Sequence, residues 1–526
     1  MLLTVLKEMA REIAKTGTAD KRMVARIKKR IAKKYSLSNL PSDADILRAS
    51  RDEPHYHRLR EVLRLKPVRT MSGVAVVSVM TSPSKCPHGK CVPCPGGVEF
   101  STPQSYIGFE PAAQRGRQHG YDAFKQVSAR LRELKEIGHD VDKIEVIVMG
   151  GTFPAREDWY KNRFILGIYS ALNSFESEVK HYTVLETAKK DNERAKARCV
   201  GMTFETRPDY AKEEHIVEML RFGGTKVELG VQSVYDDVLQ QIHRGHDVRG
   251  VVLATRRLRD SAFKVGYHIM PGLPGSDFRR DLRMFRELFE NPDFRPDYLK
   301  IYPTLVVKGT ELYEMYKHGE YQPYTTEEVV ELIARAKKYI PEYVRIQRIQ
   351  RDIPVEKAIG LDKGNVRQMV HERLKELGYS CRCIRCREAG HRLKAYGEED
   401  FEEVVRVYRA NDGKEHFISF EDPSREVLVG FLRLRLSNKP FIPELEDAAL
   451  IRELHVYGKA VGIGKKDENA FQHRGFGERL LNIAESVAKE SYDRIAVISG
   501  VGVREYYRKH GYEKEFEYMV KRIQEG

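Results

Sequence analysis

The chain has 526 residues, with 91 Lys and Arg against 77 Asp and Glu, a net charge of +14, and 41% hydrophobic and 32% charged residues. That length exceeds one core and predicts about three or four domains, while the longest apolar stretches, such as Val74 to Val79, fall well short of the roughly 18 residues a membrane-spanning helix needs. Seven cysteines is an odd count, and six of them sit in two short groups, which argues against a disulfide framework and for metal ligation in a reducing, cytoplasmic setting without a membrane segment.

In chain order, MLLTVLKEMAREIAK carries charge from Lys7 and Glu8 onward, so it reads as an amphipathic helix rather than a signal peptide. Residues 1–70 hold 18 Lys and Arg against 8 Asp and Glu, so +10 of the +14 lies there. Within it, Lys21 to Lys34 places Met23, Ile27 and Ile31 on one helical face, with Arg22, Arg26, Lys29, Arg30 and Lys33 around the rest, and Pro41 closes the segment. A solvated helix docked by its apolar stripe and a grip on a polyanion both fit. The stripe is small and lacks aromatics, which favours nucleic acid over anionic lipid.

A strand-like run, Val74 to Met80, leads into CPHGKCVPCPGG, which sets Cys86, Cys91 and Cys94 among Pro87, Pro93, Pro95, Gly96 and Gly97 in a tight loop. Two uses of three thiols stay open here: a structural zinc with His88 as fourth ligand, or an iron-sulfur cube whose fourth iron is left for a substrate or S-adenosylmethionine. Five more strand-like runs follow, at 144–151, 199–208, 226–233, 264–275 and 298–305, separated by helical stretches. Six βα units predict a curved, partial TIM-like barrel with its reactive groups at the strand C-termini. The cysteine loop follows the first strand and is therefore expected at the catalytic end. Cys199 stands alone before a strand and reads as a core residue. Lys143 begins a strand, where an ordinary lysine is solvated.

The second group, Cys381, Cys383 and Cys386, lies between the barrel and the last third of the chain. It reads as a zinc site, a staple between domains, with His391 the nearest fourth ligand and His371 the next. Near the C-terminus, Gln472-His-Arg-Gly475-Phe-Gly477-Glu478 runs from a glycine turn into a helix continued by Ile483, Ala484 and Val487. Such a mouth cradles a pyrophosphate on backbone N–H groups, although a Gly-x-Gly before a helix is often only a turn. Strand-like runs at 450–458 and 496–502 flank it. Of Tyr506 and Tyr507, the ordinary expectation is one buried and one surface ring.

The ordered set CPHGKCVPCPGG, MGGTF, FETRPDY, ELGVQSVYDD, HRGH, HIMPGLPG, FRPDYLKIYPTLV and QRDIP, followed by RELHVYG, FQHRGFGERLL, AVISGVG and REYYRKHGY, resembles the catalytic subunit family of Elongator over most of the chain. The cysteine spacing departs from the commonest radical-SAM pattern, being Cys-x4-Cys-x2-Cys instead of x3 then x2. The resemblance implies an α/β fold: a basic helical tRNA-binding segment (1–70), a partial (βα)6 TIM-like radical-SAM barrel (71–370), a Cys-rich zinc-binding linker (371–392) and a GNAT acetyltransferase domain (393–526).

It also implies a 4Fe-4S cluster on Cys86, Cys91 and Cys94, with S-adenosylmethionine beside it. Gly150, Gly151, Gln232 and Arg244 are expected around that ligand. For acetyl-CoA it implies the backbone of Glu453, Leu454, His455 and Val456 at the pantetheine arm, Phe476, Gly477 and Glu478 at the pyrophosphate, and Tyr507 and Lys143 as further contacts. Tyr507, Lys143 and His455 are the catalytic candidates, His455 as a base for thioester hydrolysis.

The implied reaction abstracts hydrogen from the acetyl methyl and adds the resulting carbon radical to carbon 5 of a wobble uridine. Loss of an electron and a proton restores the ring, and thioester hydrolysis leaves a carboxymethyl group. Expected partners are a tRNA anticodon stem-loop, with Arg348 and Arg351 adding to the basic grip, acetyl-CoA, a reducing electron donor and a second copy of the chain. Two other functions fit parts of the pattern: a protein-lysine acetyltransferase on a structural iron-sulfur barrel, and a noncatalytic tRNA-binding assembly module. The radical reading requires both lobes to open on a common chamber, through a passage or a rearrangement that joins them.

Overall fold

Apolar runs without a polar face become strands buried on both sides, the pattern of a parallel sheet covered by helices. In this computed structural model, which describes residues 2–16, 20–66, 70, 73–389, 401–422, 424, 426–437, 439–457 and 475–524, those runs form β1 (Ala75–Met80), β2 (Lys143–Met149), β3 (Arg198–Thr206), β4 (Lys226–Gln232), β5 (Lys264–Ile269) and β6 (Tyr298–Ile301). A seventh strand, β7 (Arg345–Arg348), extends the sheet, which runs β1 to β7 in order with parallel neighbours. The six units expected from sequence are thus joined by a strand in which Ile346 alone is buried. Its two arginines disguise it.

The helices between strands cover the outside. Helix Phe278–Glu290 shows why they form: Asp277 caps it by accepting from the Arg280 N–H, and Met284, Phe285, Leu288 and Phe289 recur on one buried face. Truncating Phe285 to Ala would cost about 3–5 kcal/mol through lost burial and the cavity left behind.

Four helices precede the barrel, Leu2–Lys15, Lys21–Lys34, Asp43–Ala49 and Tyr56–Leu63, and bury a small core of their own around Met9, Ile13, Ile27, Ile31, Ile46 and Leu59. The apolar stripe of the second helix differs from the expected one. Val24, not Met23, joins Ile27 and Ile31 inside, and Lys28 is buried against Asp43 at 2.7 Å. Arg60 ties this unit to the barrel through Asp140 at 2.7 Å.

The last third forms a second seven-stranded sheet from β8 (Glu402–Ala410), β9 (Gly413–Asp422), β10 (Val427–Leu436), β11 (Ala448–Val456), β12 (Arg494–Val497), β13 (Glu513–Glu515) and β14 (Tyr518–Arg522). Its order is β13-β14-β12-β11-β10-β9-β8, antiparallel except where β11 meets β12. Those two strands pair from Ala448 with Arg494 to Ile451 with Val497, while β11 continues along β10 to Val456. A cleft opens where β12 leaves β11.

The two sheets meet over buried charge. Arg452 takes both carboxylate oxygens of Asp297 at 2.7 Å and Glu415 at 2.9 Å, and Arg435 reaches Asp260 at 2.6 Å. Burial alone would push the Asp297 carboxyl up, but Arg452 and Arg433 hold it far below the usual carboxylate range. Contact is also close at the backbone: a Cβ at Gly500 would stand 2.1 Å from the Val200 carbonyl oxygen on β3, so only glycine fits there. Among the described residues no helix is long and apolar enough to cross a membrane.

Candidate active site

The loop after β1 carries Cys86, Cys91 and Cys94 to the C-terminal mouth of the barrel. There they line a cavity of about 170 Å³ with Gly151, Thr152, Glu205, Thr206, Arg207, Gln232, Arg244, His268, Tyr302, Arg348 and Arg351. His88 lies between two of the thiols, with Nδ1 3.1 Å from Cys86 Sγ and Nε2 3.0 Å from Cys91 Sγ. Cys94 Sγ is 3.2 Å from both Ser105 Oγ and Gln104 Nε2. Burial and the charges of Arg207 and Arg244 lower the His88 pKa to about 4, so it is neutral at physiological pH.

Single-ion sites draw their ligand atoms together, since Zn–S bonds run about 2.3 Å. The groups whose ligand atoms all lie within 4.8 Å of one another, among the described residues, are Cys381 with Cys383 and Cys386, and Glu205 with Glu228 and His268. The 86–94 thiols are set wider. That spread fits a cluster holding each thiolate on a different iron better than one ion.

The cavity walls also contain two buried polar atoms without a hydrogen-bond partner, Gln232 Oε1 and Thr206 Oγ1. Gln232 is held at φ 70°, a left-handed conformation uncommon for a side chain of its kind. Arg244 donates to the Gly230 carbonyl at 2.6 Å and reaches Cys91 Sγ at 3.7 Å. Gly151 faces the cavity. Gly150 instead packs on β1, where Thr81 donates to its carbonyl at 2.8 Å and a Cβ would meet Thr81 Oγ1 at 2.3 Å.

A second cleft, of about 720 Å³, opens at the other mouth of the barrel. Lys143, at the start of β2, lines it together with Glu453, Leu454, His455 and Val456 of β11, Gly477 and Glu478, Ser499 and Gly500, and Tyr506 and Tyr507. Helix Phe476–Lys489 begins at Gly475, whose φ of 75° needs glycine and which brings the helix mouth to the cleft. Phe476 turns its ring inward against Phe420, so only its backbone belongs to the mouth. Residues 472–474 of this motif, and His391, lie outside the described residues.

Glu453 is tied by its carboxylate to Arg433 at 2.8 Å and to the Tyr298 hydroxyl. His455 packs 4.4 Å from the Tyr457 ring. Tyr507 is buried, which pushes its hydroxyl pKa up, and Tyr506 is pushed up to about 12. Lys143 is lowered by burial, partly offset by Asp142 and Asp140.

The two clefts therefore occupy opposite mouths of one barrel instead of a common chamber. Between them the lumen holds an ionised layer that motif reading passed over. Lys226 bonds Glu145 at 2.7 Å and lies 3.5 Å from Glu228; Lys300 bonds Glu205 at 2.8 Å and also Glu228; His268 is 3.0 Å from Glu228. Burial opposes ionisation of Glu228, but Lys300 and Lys226 hold it well below the usual carboxylate range. The sequence signal was present: in KVELGVQ, Lys226 and Glu228 alternate with Val227 and Leu229, the period of a strand with one polar face.

At the third site, Cys381 and Cys383 are buried and Cys386 half-buried. Burial lowers the His371 pKa to about 4, and its ring is not among the ligand atoms within 4.8 Å of one another at the three thiols. Cys199 is fully buried in the core, where its thiol is pushed up to about 12.

Comparison with known proteins agrees with this arrangement. Residues 80–288 match the radical SAM superfamily, 296–376 the radical SAM C-terminal domain and 2–71 the ELP3 N-terminal domain. The chain is 46% identical over 536 residues to the tRNA uridine(34) acetyltransferase of Methanocaldococcus infernus, covering 99% of both chains. It is 45% identical to human Elongator complex protein 3 over 95% of this chain and 93% of the relative. The solved structure of M. infernus Elp3 with an N-terminal deletion superposes with a TM-score of 0.75 at 44% identity, covering 86% of this chain and 99% of that one. With a parallel half-barrel carrying the thiol loop and a mixed C-terminal sheet bearing a second cleft, the chain belongs to the Elongator complex protein 3 family of radical-SAM enzymes.

Proposed function

We propose that this enzyme modifies tRNA at the wobble uridine, installing a carboxymethyl group at carbon 5 with acetyl-CoA as carbon source. The observation that carries the reading is the wide thiol triplet opening on a cavity with two orphaned polar atoms, at the opposite mouth of the same barrel from a cleft of about 720 Å³ onto which a helix mouth opens. The names of the relatives support tRNA and acetyl transfer.

Cys86, Cys91 and Cys94 would hold a 4Fe-4S cluster, and Gln232 and Thr206 would hydrogen-bond the polar groups of S-adenosylmethionine. Together these cofactors supply a carbon radical able to take hydrogen from the acetyl methyl. Arg244 keeps positive charge beside Cys91. In the second cleft the helix mouth at Gly475 to Glu478 suits a pyrophosphate, the edge of β11 from Glu453 to Val456 an extended pantetheine arm, and Lys143 and Tyr507 frame the thioester end. The lumen is the direct route between the clefts, so the Lys226–Glu228–Lys300 layer must part for the acetyl end to advance. His455, which lines the same cleft, is the candidate base for thioester hydrolysis. Cys381, Cys383 and Cys386 would hold zinc as a staple.

The tRNA grip needs solvated cations. Lys28 is buried on Asp43, Lys34 is bonded to Glu8 at 2.8 Å and Arg30 to Glu12 at 3.1 Å; Arg22, Arg26, Lys29 and Lys33 are four exposed cations of the helix outside those pairs. Reversing those four charges should weaken tRNA binding and flatten its salt dependence; unchanged binding across salt concentrations would remove the helix from the mechanism. The reading as a whole is tested by anaerobic incubation of the reconstituted enzyme with S-adenosylmethionine, acetyl-CoA and tRNA. Nucleoside mass analysis should show carboxymethyluridine that disappears when any one component is omitted. Acetylated protein or nucleoside without S-adenosylmethionine would overturn it.

A further inference from the structure

Phe100, Phe109 and Trp159 are the Phe and Trp side chains that remain exposed among the described residues, at 52%, 45% and 65%. All three follow the C-terminal ends of barrel strands, Phe100 and Phe109 after β1 and Trp159 after β2. Phe100 and Phe109 flank the segment from Gln104 to Tyr106 that lines the cluster cavity, and Trp159 begins the helix that follows Gly151 and Thr152 of the same wall. A scatter of surface aromatics would not gather at one mouth, and large exposed rings mark a surface that something covers.

Two of the three rings have a cation at their side. Lys90 stands 5.3 Å from the centre of Phe100 and Lys357 4.7 Å from that of Phe109. Trp159 meets Tyr160 edge-on at 5.8 Å, and Arg156 lies over Tyr160 at 3.7 Å. Lys85 and Lys308 are exposed on neighbouring loops. Rings alternating with cations suit a partner that is flat, apolar on its faces and anionic along its backbone.

We propose that Phe100, Phe109 and Trp159 form a stacking rim for unpaired loop nucleotides of the RNA substrate, holding the bases beside the target while Lys90 and Lys357 contact phosphates. This rests on the RNA-modifying reading above. It adds a selection step: an RNA whose bases are all paired offers nothing to the rings, whatever its charge. The basic N-terminal helices grip backbone, and the rim sorts unpaired from paired RNA at the reactive mouth.

Trp159 is the one Trp in the chain, so its emission reports the rim directly. The intact, cluster-loaded enzyme is titrated with a labelled stem-loop RNA and with a fully paired duplex of equal length, following label anisotropy and Trp159 emission together. Stacking predicts quenching by the stem-loop and little by the duplex. Phe100→Ala and Phe109→Ala should each weaken stem-loop binding roughly 5- to 150-fold, with S-adenosylmethionine cleavage unchanged, and Trp159→Phe should bind better than Trp159→Leu. Stem-loop binding by anisotropy without any change in emission would overturn the proposal, as would equal losses for stem-loop and duplex or none for either. In the last case the rim would belong to a protein partner. Absence of RNA binding by the unaltered enzyme would instead sink the functional reading beneath it.

Discussion

The two cysteine triplets set the same residue in different surroundings. Cys381, Cys383 and Cys386 sit within 4.8 Å of one another, mostly buried. Cys86, Cys91 and Cys94 are spread around a cavity, with a neutral histidine between two of them and unsatisfied polar atoms in the wall. A closed ligand set stabilises, whereas an open one leaves room for chemistry. Count and spacing in the sequence do not separate the two; the walls around them do.

The strongest way to break this contrast is to remove each triplet in turn. Cys86→Ser, Cys91→Ser and Cys94→Ser together should abolish S-adenosylmethionine cleavage while leaving the melting temperature nearly unchanged, because none of the three thiols belongs to a hydrophobic core cluster. Cys383→Ser should do the reverse: bound zinc is lost and the melting temperature falls, while cleavage per loaded cluster persists. Zinc analysis, iron analysis and calorimetry on the same samples decide both, and a melting temperature indifferent to Cys383 would remove the staple.

Arg452→Met supplies a yardstick for that loss. It takes from Asp297 the guanidinium that holds both its oxygens, leaving Arg433 at 3.6 Å, and should cost about 3–5 kcal/mol in denaturant unfolding, since a buried ion pair loses its main partner. A smaller effect is expected in the cavity, where Gln232→Leu should weaken S-adenosylmethionine binding about five- to tenfold through one lost hydrogen bond, with coenzyme binding unchanged. Smallest is the acid response. Asp297 titrates lower in the folded protein than in the unfolded chain, so its contribution is complete above about pH 4 and fades below it. Asp297→Asn should flatten the acid limb of the stability profile.

Much of the barrel was readable because its strands are apolar runs between amphipathic helices, and the cysteine loop announced its end of the barrel by following the first of them. β7 was hidden by its own arginines, and the stripe in helix Lys21–Lys34 was assigned to Met23 because Val24 and Met23 satisfy the same helical spacing. The relation of the two clefts was not legible at all. It depends on which mouth of the barrel receives the second sheet, and that is decided by contacts distant in sequence, such as Arg452 with Asp297 and Gly500 against Val200. The lumen charges were visible residue by residue, but their meeting across five strands is a tertiary fact.

The central claim is that a radical made at one mouth of the barrel reaches an acetyl methyl delivered from the other. Anaerobic turnover with methyl-deuterated acetyl-CoA and tRNA tests it most directly. The account predicts deuterium in the 5′-deoxyadenosine and a labelled two-carbon unit on the uridine. Unlabelled 5′-deoxyadenosine accompanying labelled tRNA would contradict it.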